Sequence, residues 1–324
     1  MEIAVQDKCD DLLEIYQAMA KVERLALPNL ILAGAGIYLA SGKPLDVERL
    51  QQCKRILKER EGIFSDFRGN AEFIICCKMA LSDSPEQYLQ HLQLVYNALK
   101  PGKVLGSELA VIAAVTLVDR VEPDRYEEVI ARTKQVYQEM KKAHRWLTGE
   151  DDLPFAALMA ITGSDARAMH EEAEQIYEIL RNTLRADKDT LQTLSHVLSL
   201  YAGTAEEKCD KISSIARRLS DTRHPMSPDK QMAVLGTLAA SPLTADELTV
   251  QIIETDDYLR RFKPFKGVLG ISVNTRRMYA AQIVQSVFAD SNDVSLAAMM
   301  NASVQVTVVT MLILYFILFT SLQG

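Results

Sequence analysis

Histidine, carboxylate, arginine and tryptophan side chains gather in a few short stretches of this chain, and each stretch suggests a chemistry. His170 and Glu174 stand four residues apart, so a helix would project both from one face, a spacing that could hold a metal ion. The second histidine of a His-Glu-x-x-His helix is missing, and His170 and Glu174 both belong to the solvated side of an outer helix. We expect no metal there. Gly34-Ala35-Gly36 supplies two glycines of a dinucleotide-binding turn, but Leu39 occupies the third position and no strand precedes it. Small residues here suit close approach between helices.

Three loops hold richer sets: Phe67-Arg68-Gly69-Asn70, the stretch from His144 to Asp152, and Arg223-His224-Pro225. The second contains Trp146 and the consecutive acids Glu150, Asp151 and Asp152. Function concentrates on loops held by a rigid scaffold, so these residues are the candidates for a ligand site. A carboxylate such as Asp151 or Asp152 would serve as acid, base or ion ligand. The same residues also have scaffold roles: Asn70 and Asp152 suit helix caps, the acids suit a helix N-terminus, and Trp146 could plug a hairpin.

The elements that carry these loops repeat. The pairs Ile15-Tyr16, Ile56-Leu57, Val95-Tyr96, Val136-Tyr137, Ile176-Tyr177 and Ile215-Ala216 follow one another at 41, 39, 41, 40 and 39 residues. Three residues before each pair stand Leu12, Cys53, Leu92, Thr133, Ala173 and Ile212; four after the first member come Met19, Arg60, Leu99, Met140, Leu180 and Leu219. This is one apolar stripe of an amphipathic helix, broken only at Thr133 and Arg60. Between these outer helices lie more apolar inner ones: 30–40, 71–81, 108–118, 153–161, 191–202 and 232–240. A helix apolar nearly all round must be covered on nearly all sides. Asn70, Ser107, Asp152 and Asp189 are the expected starts of inner helices, and polar turns such as Ser82-Asp83-Ser84-Pro85 end them. The prediction is an all-α chain of helical hairpins about 40 residues long, a HEAT-like α-solenoid over residues 1–290, with a closed α/α toroid as the alternative. The loops that join outer to inner helices then share one rim. The recurring tyrosines Tyr16, Tyr96, Tyr137 and Tyr177 read as core with hydroxyls near the surface.

Composition narrows the function. A net charge of −7 and a pI near 5.4 argue against a nucleic-acid binder. Five cysteines without CxxC spacing suit reduced packing residues of a cytoplasmic protein. No cofactor motif is present, and no secretion signal opens the chain.

The C-terminal segment, 291–324, is different. No charge follows Asp293, and 304–322 is 19 residues of nearly unbroken apolar sequence, including Leu312, Leu314, Phe316 and Phe319. That length approaches a bilayer span. Arg260, Arg261, Lys263 and Lys266, with Arg276 and Arg277, precede it as a basic region suited to anionic lipid at the inner face of the membrane. The bland alternative is a last packed helix or an interface with a second copy of the chain. Either way the segment needs a cover.

With the FRGN and WLTGEDD loops and the repeats in view, the chain resembles a family of uncharacterised all-helical proteins from Bacillus-type Gram-positive bacteria, over residues 10 to 300. That resemblance implies no known activity and assigns no residue a role. The expectation is a non-catalytic binding or scaffold protein with a protein partner. The competing expectation is a toroidal enzyme, or a small-molecule or lipid binder, with its site on the outer-to-inner rim; this rests on fold-level analogy.

Overall fold

The computed structural model describes residues 1–24, 26–63, 65–100, 108–143, 152–162, 166–266 and 270–288. All regular structure among them is helical. Outer and inner helices alternate: α1 (Ile3–Val22), α2 (Pro28–Ser41), α3 (Val47–Arg60), α4 (Asn70–Leu81), α5 (Pro85–Leu99), α6 (Glu108–Val118), α7 (Tyr126–Ala143), α8 (Leu153–Thr162), α9 (Ala166–Thr183), α10 (Lys188–Leu198), α11 (Ala205–Ser220), a 3₁₀ helix η1 (Lys230–Leu238), α12 (Ala245–Leu259) and α13 (Val273–Phe288).

The stripe predicted from the 40-residue lag is largely the buried one, with Ile15, Tyr16, Ile56 and Tyr137 of its anchor pairs half-buried. Leu12, Cys53, Leu92, Thr133 and Ile212 are fully covered, and so is Ala173 to within 1 %. The two irregular residues each have a physical reason. Thr133 turns its hydroxyl back to the Val129 carbonyl at 2.8 Å, so its polar atom is satisfied inside the helix. Arg60 is exposed because α3 ends on it.

The chain divides into two compact units, residues 13–167 and residues 1–12 with 168–288. In the first, α2 packs on α4, α4 on α6 and α6 on α8, while α3 and α7 pack on the outer helix α5. Gly34 lets α2 approach α4: a Cβ there would lie 2.6 Å from the Phe73 ring and 3.2 Å from Cys77 Sγ. In the second unit η1 packs between α10 and α13, and α11 lies against α12.

Side chains fasten the hairpins. Arg49, on α3, donates Nε to the Ala80 carbonyl at 2.8 Å and Nη2 to the Ser82 carbonyl at 2.6 Å, saturating the end of α4. Lys211 on α11 does the same for η1 through Ala239 and Ser241. Asp119, just after α6, accepts from Tyr88 of α5 at 2.9 Å and pairs with Lys78 of α4 at 2.6 Å, so one carboxylate holds three helices.

Several helix starts differ from expectation. Gly69, at φ 80° and ψ −134°, is the N-cap of α4, and Asn70 is its first helical residue. A positive φ is what glycine tolerates best, which accounts for the glycine of FRGN. Asp187 rather than Asp189 caps α10, accepting from the Thr190 amide at 2.7 Å. The run expected as the helix 232–240 is the 3₁₀ helix η1; Asp229 accepts from the Gln231 amide two residues on, which starts the chain in a tighter winding.

Candidate functional site

The rim candidates divide between the two units. In the 13–167 unit Phe67 is buried and meets Tyr96 edge-on, with ring centroids 5.0 Å apart. The Tyr96 hydroxyl donates to Asp66. Arg68 pairs with Glu72 at 2.7 Å and reaches the Glu61 carbonyl at 3.4 Å. These contacts fold the 61–69 turn onto α4 and α5. Asp152 is 5 % exposed immediately before α8. Trp146, Glu150 and Asp151 lie outside the described residues, as do Leu312, Leu314, Phe316 and Phe319.

In the other unit Arg223 is exposed, and its backbone carbonyl accepts from Arg277 Nη2 at 2.5 Å. Its neighbour His224 is the candidate that the structure places among charged groups. It is 5 % exposed, with Nδ1 2.7 Å from Asp256 Oδ2 and Nε2 3.7 Å from Asp257 Oδ2. An ionised carboxylate can only accept, so Nδ1 carries the proton of that bond. Arg276 reaches Asp256 with two nitrogens, Nε at 2.5 Å and Nη2 at 3.2 Å. Arg277 Nε stands 3.5 Å from the same carboxylate, while Nη1 donates to the Pro225 carbonyl at 2.6 Å. The loop after α11, the last turn of α12 and the start of α13 are thus tied at one buried acid, which is 1 % exposed.

Burial alone would favour the protonated form of Asp256. Hydrogen bonds from Arg276 and His224, with the charges of Arg276 and Arg277, outweigh it and hold the carboxyl below its ordinary value. The cluster is therefore a closed ionic lock with every acid oxygen engaged, suited to fastening a loop.

Asp256 itself was not among the candidates, yet the repeat marks it. Forty residues after Ile215-Ala216, the anchor pair is Thr255-Asp256, preceded by Ile252 and followed by Leu259. A carboxylate occupies the stripe position held elsewhere by tyrosine, leucine or alanine. A charged residue at a buried stripe position needs a partner, which is the signal that would have found Arg276 and His224.

The basic residues Arg260, Arg261, Lys263 and Lys266 are exposed. Arg260 stands 3.9 Å from Asp257, and the Arg261 guanidinium lies 5.8 Å from the Tyr258 ring centroid. All five cysteines are free and buried. Among the described residues no group of histidine, cysteine and carboxylate side chains could hold a metal, and no helix is long and apolar enough to cross a membrane.

Comparison with known proteins gives a family and one distant relative. The model of a family described as a protein of unknown function, DUF4003, matches residues 15–314. An uncharacterised protein of Bacillus subtilis strain 168, YeaA, is 24 % identical over 209 residues, covering 62 % of this chain and 63 % of its own length. No solved structure matches.

Proposed function

This chain belongs to the DUF4003 family, and from that premise we propose that it is a non-catalytic binding protein, a row of stacked helical hairpins that presents its outer helices to a protein partner. The observation that carries this reading is the use made of the polar side chains. Gln93 and Glu61, Thr183 and Ser213, Gln175 and Glu206, and Arg218 and Asp246 pair at sequence separations of 28 to 32 residues, between one outer helix and the neighbouring outer helix or its following turn. Polar groups spent on neighbour-to-neighbour fastening build a scaffold, and repeat stacks expose long surfaces for partners. The HEAT-like arrangement belongs to this proposal, as do a cytoplasmic setting, which the five buried thiols suit, and a tether or docking role for the uncharged segment 291–324.

The test is capture of a partner from native lysate of a Bacillus-type cell, with a surface variant as control. Leu94 is 55 % exposed on α5, with Gln90 exposed one turn before it. The reading expects a protein retained by the parent and lost with Gln90→Lys and Leu94→Lys together while the fold stays intact. Retention of nothing beyond that variant's background opposes it.

A second reading has its own support. The chain start and the N-terminal half of α1 pair with α12: Asp10 accepts from the Tyr258 hydroxyl at 2.7 Å and Glu2 N donates to Gln251 at 3.1 Å. An open row of hairpins does not require that contact, whereas a closed toroid does. In the same unit both amide atoms of Gln282 and the Tyr279 hydroxyl are buried without a hydrogen-bond partner, as a polar ligand pocket would leave them. Binding of a small polar metabolite, seen as a rise in melting temperature that Gln282→Leu removes, would favour this alternative.

A further inference from the structure

We propose that the outer-to-inner edge of the 13–167 unit docks on the surface of an anionic lipid bilayer. This goes beyond the protein-binding reading and stands or falls separately from it. Two consecutive turns carry the argument. The turn after α1 exposes Leu27, at 55 %, beside the exposed cations Lys21 and Arg24. The turn after α3 exposes Ile63, at 76 %, and follows the exposed cations Lys58 and Arg60, with the exposed acid Glu59 between them. Lys54 of α3 pairs with Glu23 of the first turn at 2.5 Å, which ties that turn to the helix leading into the second.

Cations in the last turn of a helix are favoured by its dipole, and that alone would place Lys21, Lys58 and Arg60. It does not place Leu27 and Ile63 in water. Two isolated aliphatic side chains offer a folded partner little area to bury. A bilayer interface accepts such side chains without complementary shape while its acidic headgroups take the cations. Polarity along the unit supports the assignment. The opposite ends of the same hairpins carry Asp46, Glu48, Asp83 and Glu86, with Lys43 and Arg49 bound to the carbonyls at the end of α4 and its cap. A chain of net charge −7 can approach an anionic surface only by such a positive edge.

The test is sedimentation of the full chain with vesicles of pure phosphatidylcholine and of phosphatidylcholine containing phosphatidylglycerol. Three full-length proteins are compared: the parent, Lys58→Glu with Arg60→Glu, and Leu27→Asn with Ile63→Asn. All four side chains are exposed, so circular dichroism should show the same melting curve for each. Each basic residue near an anionic surface is worth about a fivefold gain in partitioning. Reversing two charges should therefore weaken binding to the anionic vesicles by at least about tenfold, and the apolar variant should weaken it by a similar factor. Parent binding should also fall with added salt. Equal binding to neutral vesicles, undiminished binding by both variants (the mark of the 304–322 segment acting alone), or binding of an acidic peptide with no vesicle binding would each overturn the proposal.

Discussion

His224 and Asp256 lie 32 residues apart in sequence and 2.7 Å apart in space, both sealed from solvent, and their bond pins the loop after α11 to the last turn of α12. The bond exists because Arg276 offsets the cost of burying the acid.

The lock makes stability depend on acid. The Asp256 carboxyl titrates below its ordinary value in the fold, so its contribution is present above the unfolded value of about 3.9 and disappears as pH falls through the lower, folded value. Denaturant midpoints measured between neutral pH and pH 3 should fall more steeply for the parent than for Asp256→Asn. That variant should lose about 3 to 5 kcal/mol at neutral pH, because Arg276 and Arg277 are left without their counter-charge. A variant with the parent's slope would remove Asp256 as the cause.

Gly34→Ala should destabilise by about 1 to 3 kcal/mol. The new methyl would press on Phe73 and Cys77 across the α2–α4 contact, where 2.6 Å and 3.2 Å leave it no room. A urea midpoint equal to the parent's would show that α2 and α4 can part at no cost.

The thiols should be silent in the native protein. Burial first of all raises every one, Cys9 to about 12 and Cys53 and Cys209 to about 11, with Cys76 and Cys77 above the ordinary range as well. A chromogenic disulfide reagent at pH 8 should count none before denaturant and five after it. Fast reaction of even one thiol in the native state would contradict the burial of that helix.

Much of this fold can be read from residue order, because burial imposes a period. The stripe through Leu12, Cys53, Leu92, Thr133, Ala173 and Ile212 emerges from counting alone and proves to be the covered one. Caps are harder. Asn70 competes with Gly69 and Asp189 with Asp187, and residues one or two places apart offer the same hydrogen bond until backbone angles decide. The lock was half legible. His224 stood out as a loop histidine, and Asp256 sits at a position the lag itself marks. Nothing local joins either to Arg276, because that contact depends on how α13 folds back against α12. The site that the rim loops suggested stayed incomplete for another reason: Arg68 is taken by Glu72 and Phe67 by Tyr96, local bonds that fasten the turn itself.

The central claim is that neighbouring hairpins are coupled through shared polar side chains, and Asp119 tests it most directly. Its carboxylate joins Tyr88 of α5, Lys78 of α4 and its own position at the end of α6. Hydrogen exchange should be followed helix by helix in Asp119→Ala, a change that costs about 1 to 3 kcal/mol if Tyr88 is left unsatisfied. Coupled hairpins predict faster exchange at the ends of α4 and α6 and the start of α5, with α11, α12 and α13 unchanged. Faster exchange confined to α6, or spread evenly over every helix, would contradict the claim.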